Sequence, residues 1–156
     1  MESVIISKYV NTIELGAFEG CVNLVDLTLG SSITTIGDNA FNVCTNLGNL
    51  VIPNSVRTIG LGAFGNCDNL HNVTIGTGVT YIDEFNFQFR DENNEQCIFT
   101  VLPTTPPTLE FGLGDNEGTH IIVYVPAESL NAYKTATNWS NIETLYGGSI
   151  LAIPNE

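Results

Sequence analysis

The chain repeats itself every 23 residues, and a fixed period of that length points to a solenoid or an array before any single element is assigned. Ala17-Phe18, Ala40-Phe41 and Ala63-Phe64 mark the period most plainly. Cys21, Cys44 and Cys67 hold the same phase, as do Asn23, Asn46 and Asn69, then Leu24, Leu47 and Leu70. Ile13, Ile36, Ile59 and Ile82 follow, with Leu27, Leu50 and Val73, then Leu29, Ile52 and Ile75, then Ile33, Val56 and Val79. The phase runs back to Val4, Ile6 and Val10 and forward to Phe87. Residue 1 therefore enters mid-repeat without a polar cap, and further repeats are expected upstream.

Inside each unit the apolar period changes. Leu27-Thr28-Leu29 alternates as a short strand, Val56 to Ile59 allows a second extended edge, and Gly60 to Cys67 fits one or two helical turns. A lone unit cannot fold. Its apolar side chains gain about 1.5–3 kcal/mol each on burial, whereas ordering the backbone costs about 1–2 kcal/mol per residue. Stacking supplies the missing burial and lets equivalent strands pair in parallel about 4.8 Å apart. Gln88 to Gln96 then breaks the register as a polar insertion, and Phe99 and Val101 read as the next strand.

Charge narrows the partners. Seventeen acidic residues against four basic ones give a net charge of −13, which repels nucleic acid and anionic lipid. No apolar run reaches the length of a membrane span, and the start of the chain carries no export signal. A cofactor or metal is not expected. The three in-phase cysteines read as small buried core residues, Cys97 stands apart, and no zinc spacing is present. His71 and His120 lie in no nucleophile or metal motif, and Gly114 to Gly118 lacks the ligand spacing of a calcium loop. Gly60-Leu61-Gly62-Ala63-Phe64-Gly65 matches a dinucleotide fingerprint letter for letter, but no long crossover helix is expected after it. The asparagine column reads as a ladder satisfying turn amides.

Downstream, Thr104 to Leu109 is a stiff proline turn that closes the degenerate repeat. His120 to Val125 alternates as a strand, and Pro126-Ala127-Glu128 opens a helix. Two regions result: a repeat solenoid over residues 1–103 and a strand-helix capping segment over 104–156, forming one cooperative body. Tyr133 and Trp139 are expected to pack inside that cap.

The pattern Ile59-Gly60, Ala63-Phe64, Cys67, Leu70, Val73, Ile75 and Val79 resembles the BspA-like, treponemal-type leucine-rich repeat of bacterial surface proteins. That resemblance implies an α/β-type, right-handed coil with short parallel strands and short helical turns. It also implies a non-enzymatic adhesion module, cell-surface or secreted, for a host or neighbouring-cell surface or matrix protein. If Leu24, Leu27 and Leu29 point inward, the outward candidates are Asp26, Asn49 and Asn72, then Thr28, Val51, Thr74 and Thr100, with His71 at one edge. The alternative is a carbohydrate-binding or glycan-processing accessory module, motivated by Tyr81, Trp139 and the acid pairs Asp83-Glu84 and Asp115 with Glu117.

Overall fold

The computed structural model describes residues 1–87, 96–113, 121–144 and 147–154. The chain winds as a parallel β-solenoid with two sheets along its length. The main sheet contains β5 (Asn49–Ile52), β7 (Asn72–Ile75), β9 (Cys97–Val101), β11 (Ile121–Val125) and β12 (Ser149–Ala152), each pairing in parallel with the next. Beside it, β1 (Ser3–Ile5) and β3 (Asp26–Thr28) form a separate two-stranded parallel sheet. The second long sheet stacks β2 (Thr12–Ile13), β4 (Thr35–Ile36), β6 (Thr58–Ile59), β8 (Tyr81–Ile82) and β10 (Thr108–Leu109).

Register follows the repeat. Asn49 faces Asn72 and Leu50 faces Val73 across β5 and β7, one period apart. From β7 to β9, Val73 faces Phe99 and Ile75 faces Val101, so the ladder keeps its in-out alternation although the partners no longer lie one period apart. Phe99 and Val101 thus occupy the expected strand. Most of the polar insertion, residues 88–95, lies outside the described residues, as does His120.

The third side of each coil differs from the helical turns anticipated for it. Gly60 to Cys67 is a series of tight turns, and the reason is backbone handedness. Gly16, Asn39, Gly62 and Phe85 all sit at positive φ, from 54° to 61°, one per coil. Gly20, Val43 and Asn66 form a second such column. A left-handed residue every four positions stops an α-helix. The turned backbone instead aims alternate N–H groups at the neighbouring coil: Asn39 to Leu61, Phe41 to Ala63 and Val43 to Gly65, each 2.8–2.9 Å from the accepting carbonyl. A third hydrogen-bond ladder therefore runs beside the two sheets.

The core is a set of columns. Phe18, Phe41, Phe64 and Phe87 stack with interplanar angles of 3° and centroids 5.1, 5.3 and 6.0 Å apart, and Phe99 meets Phe87 edge-on at 5.2 Å. All but Phe18, in an early coil, are buried. The four cysteines are free thiols. Cys44 donates to the Phe18 carbonyl and Cys67 to the Phe41 carbonyl, so the column bridges coils without disulfides. Burial is the chief cause that pushes the Cys44 thiol up to about 11, with Cys67 raised further.

At the C-terminal end the strands continue, then the helices close over them. A 3₁₀ turn at Ala127–Ser129 leads into α1 (Leu130–Thr135), and α2 (Asn141–Thr144) follows. Tyr133 and Trp139 are fully buried and meet edge to face at 5.0 Å. Their polar ends settle the proline turn: Tyr133 Oη donates to the Pro103 carbonyl and Trp139 Nε1 to the Pro107 carbonyl, both at 2.8 Å. Ser129 and Asn138 donate to the carbonyls of Thr104 and Leu109. A segment with few N–H donors of its own thus has its carbonyls met by side chains. Thr108 and Leu109, anticipated as the end of that turn, form β10 and extend the second sheet beside β8.

Candidate interaction surface

Strand alternation decides which side chains leave the core. In β5 the burial pattern places Leu50 and Ile52 inside and Asn49 and Val51 outside; in β7 it places Val73 and Ile75 inside and Asn72 and Thr74 outward. Register then stacks the outward positions into two columns. One runs Asn49, Asn72, Ile98, Ile122 and Ser149; the other runs Val51, Thr74, Thr100, Tyr124 and Leu151. Asp26 and Thr28 are exposed on β3, paired with Ser3 and Ile5 and packed beside β5.

The outward residues anticipated from sequence therefore share one side of the molecule. Asn72 donates to Asn49 Oδ1 at 3.1 Å, a rung between coils on the exposed face. His71 lies at the edge with Nδ1 2.8 Å from the Asn69 carbonyl. Its ring covers Gly48 of the previous coil, where an added Cβ would come within 2.9 Å of the ring. The C-terminal rungs, Ile98, Ile122, Tyr124, Ser149 and Leu151, were not anticipated. They change the character of the surface: asparagine, threonine and aspartate, with Val51 among them, near β3 to β7 give way to mainly aliphatic and aromatic side chains, with Thr100 and Ser149, over β9 to β12. The alternation of His120 to Val125 was the available signal, since it fixes Ile122 and Tyr124 on one face.

Other candidates dissolve into architecture. Trp139 is fully buried with its indole N–H committed, so it is not the sugar-stacking platform that the carbohydrate alternative required. Asp83 Oδ1 accepts the Glu84 N–H at 2.8 Å and so caps its own turn. Beside it, the Tyr81 hydroxyl has its pKa raised, first by lost hydration and then by the charges of Asp83 and Glu110. Asp115, Glu117 and the Gly114–Gly118 segment lie outside the described residues. The fingerprint glycines serve coil packing: a Cβ on Gly60 would strike Asp38, and Gly62 holds a left-handed φ of 57°. In the asparagine column, Asn46 donates to the Val22 carbonyl at 2.6 Å, so this bond joins coils through a carbonyl rather than a turn amide.

Among the described residues, no cluster of three or more histidine, cysteine, aspartate or glutamate side chains is placed to hold a metal ion, and no helix is long and apolar enough to cross a membrane. A comparison with curated proteins returns no match. The family model described as a BspA-type leucine-rich repeat region matches residues 1–99, in six copies. With stacked parallel coils, in-phase core columns and this match over more than half its length, the chain belongs to the BspA-type leucine-rich-repeat family.

Proposed function

We propose that this chain is a non-enzymatic protein-binding module of a surface-exposed or secreted bacterial protein, which contacts a host or neighbouring-cell protein across its main sheet. Family membership supports the coarser part, a repeat scaffold for protein interaction. The observation that carries the rest is the pair of outward columns across β5, β7, β9, β11 and β12, a regular surface of stacked side chains. Asn49, Val51, His71, Asn72, Thr74 and Thr100, with Asp26 and Thr28 on the adjoining β3, form its mostly polar half. Aromatic and Arg anchors are scarce there, so the contact is broad and of modest affinity. Within residues 104–156, β11 and β12 extend this sheet, and the short helices α1 and α2 pack against β12.

Binding to a panel of purified extracellular-matrix and cell-surface proteins tests the proposal. The paired change Asn49→Arg with Asn72→Arg places two large cations in one column and is expected to weaken binding roughly tenfold, about 1.4 kcal/mol, at unchanged melting temperature. Unaltered binding would move the contact to another face. No binding by the intact protein to any member would count against adhesion itself.

A further inference from the structure

The left-handed column on the third side of the coil contains a residue that does not belong there on conformational grounds. Gly16, Asn39 and Gly62 are residue types that accept positive φ, but the fourth coil places Phe85 in the same position at φ 59°. Its ring does not pay for this by entering the core: it is 45% exposed. It lies instead against Phe111, itself 41% exposed, with centroids 6.0 Å apart and planes tilted by 33°. Leu61, also exposed, lies in the preceding coil, whose Gly62 N–H bonds the Glu84 carbonyl at 2.9 Å.

Each of these rings has an acid as its immediate chain neighbour. Glu84 precedes Phe85 and Glu110 precedes Phe111 in the chain, and Asp83 and Glu110 flank Tyr81. Among the described residues the one ion pair is Lys134 with Glu143, so none of these carboxylates pairs with a described cation. Apolar rings beside carboxylates that form no ion pair with a described cation, on a protein of net charge −13, complement a segment that is both basic and apolar. Arginine fits this chemistry best, because its guanidinium stacks on an aromatic face and its N–H fork matches a carboxylate.

We infer that Phe85 and Phe111, with Glu84 and Glu110, form a second docking site, for an extended partner-protein segment that alternates arginine with aliphatic side chains. Guanidinium groups lie over the rings and bond the carboxylates, while the aliphatic side chains meet Leu61 and the ring edges. The site lies on the turn-ladder side of the coil, so it is independent of the main-sheet contact proposed above and stands or falls separately.

The test uses the intact chain and a fluorophore-labelled peptide, Arg-Leu repeated three times, with Lys-Leu and Glu-Leu counterparts and a chito-oligosaccharide as further probes. Fluorescence anisotropy at about 50 and 300 mM salt reads binding with and without strong screening. The Arg-Leu peptide is expected to bind at least tenfold more tightly than the Glu-Leu peptide. Phe85→Asn is expected to weaken it about fivefold, a scale set by a cation–π contact, as is Glu84→Gln combined with Glu110→Gln. Phe85→Asn should fold normally, because Asn39 holds the same backbone conformation in the same column two coils earlier. The Asn49→Arg, Asn72→Arg pair should bind the Arg-Leu peptide as the parent does. Undiminished binding by Phe85→Asn would overturn the inference. So would equal affinity for Lys-Leu and Arg-Leu that vanishes at high salt, which is general attraction to an acidic protein. Binding of the saccharide that Phe85→Asn abolishes would replace the peptide site with a glycan site.

Discussion

Phe64→Ala is the most direct test of the stacked core. Phe64 is fully buried, with Phe41 on one face at 5.3 Å and Phe87 on the other at 6.0 Å. Core Phe→Ala changes cost about 3–5 kcal/mol, and each aromatic contact contributes about 0.5–1.5 kcal/mol beyond burial. Two ring neighbours and rigid inter-coil ladders that resist collapse place this case near 4 kcal/mol. Phe18 has one ring neighbour and is half-buried, so Phe18→Ala should cost roughly half as much. A chain of this size loses roughly 2–4 °C of Tm per kcal/mol, so Phe64→Ala should melt about 8–16 °C below the parent. Urea denaturation followed both by circular dichroism and by Trp139 fluorescence gives the free energy. Trp139 sits in the distant cap, so coincidence of the two signals also reports whether the coils and cap unfold together. A loss below about 2 kcal/mol, or equal losses for Phe18 and Phe64, would refute the column as the main source of stability.

Thiol labelling should be graded by depth: in native protein near pH 8, Cys21 reacts first, while Cys44 and Cys67 stay protected until unfolding, because burial raises the pKa of both. Fast native labelling of Cys67 would contradict the packing of that column. Glu143 has its pKa lowered, chiefly by the Lys134 hydrogen bond, so its ion pair contributes stability above the unfolded carboxyl value and loses it as pH falls through the folded one. Because both side chains are about a third exposed, Glu143→Gln should remove no more than about 1 kcal/mol at neutral pH and flatten the acid limb of the urea midpoint.

The repeat made most of the core legible. Phe, Cys, Leu and Ile recur because each coil presents the same slots to the next, so phase alone places Phe41, Phe64, Cys67 and Leu70 inside. Handedness of individual residues was harder to see. The column of Gly16, Asn39 and Gly62 carried a signal against helix, but Phe85 in the same column and Val43 in the next obscured it. Beyond Phe87 the spacing changes, and strands such as β10 and β12 are fixed by pairing with earlier coils rather than by any local pattern. Ile98, Tyr124 and Leu151 were missed as surface residues for the same reason: membership of the outward columns is a property of register. The outward set near β5 and β7 was legible because there the register equals the period.

The division of the main sheet between β3 and β5 bears on how force and solvent enter the molecule. Across that boundary β4 still pairs with β6, and the turn ladder still bonds Phe18 to Ala40 and Phe41 to Ala63, but β1–β3 and β5–β12 belong to separate sheets. Strands bonded on only some of their sides open at lower free energy than those in a continuous ladder. The first two coils therefore form the compliant end of a stiffer rod. Tension applied through the N-terminus would peel them away, Asp26 and Thr28 with them, before reaching the columns of β5 to β12, leaving that larger part of the face in place under load.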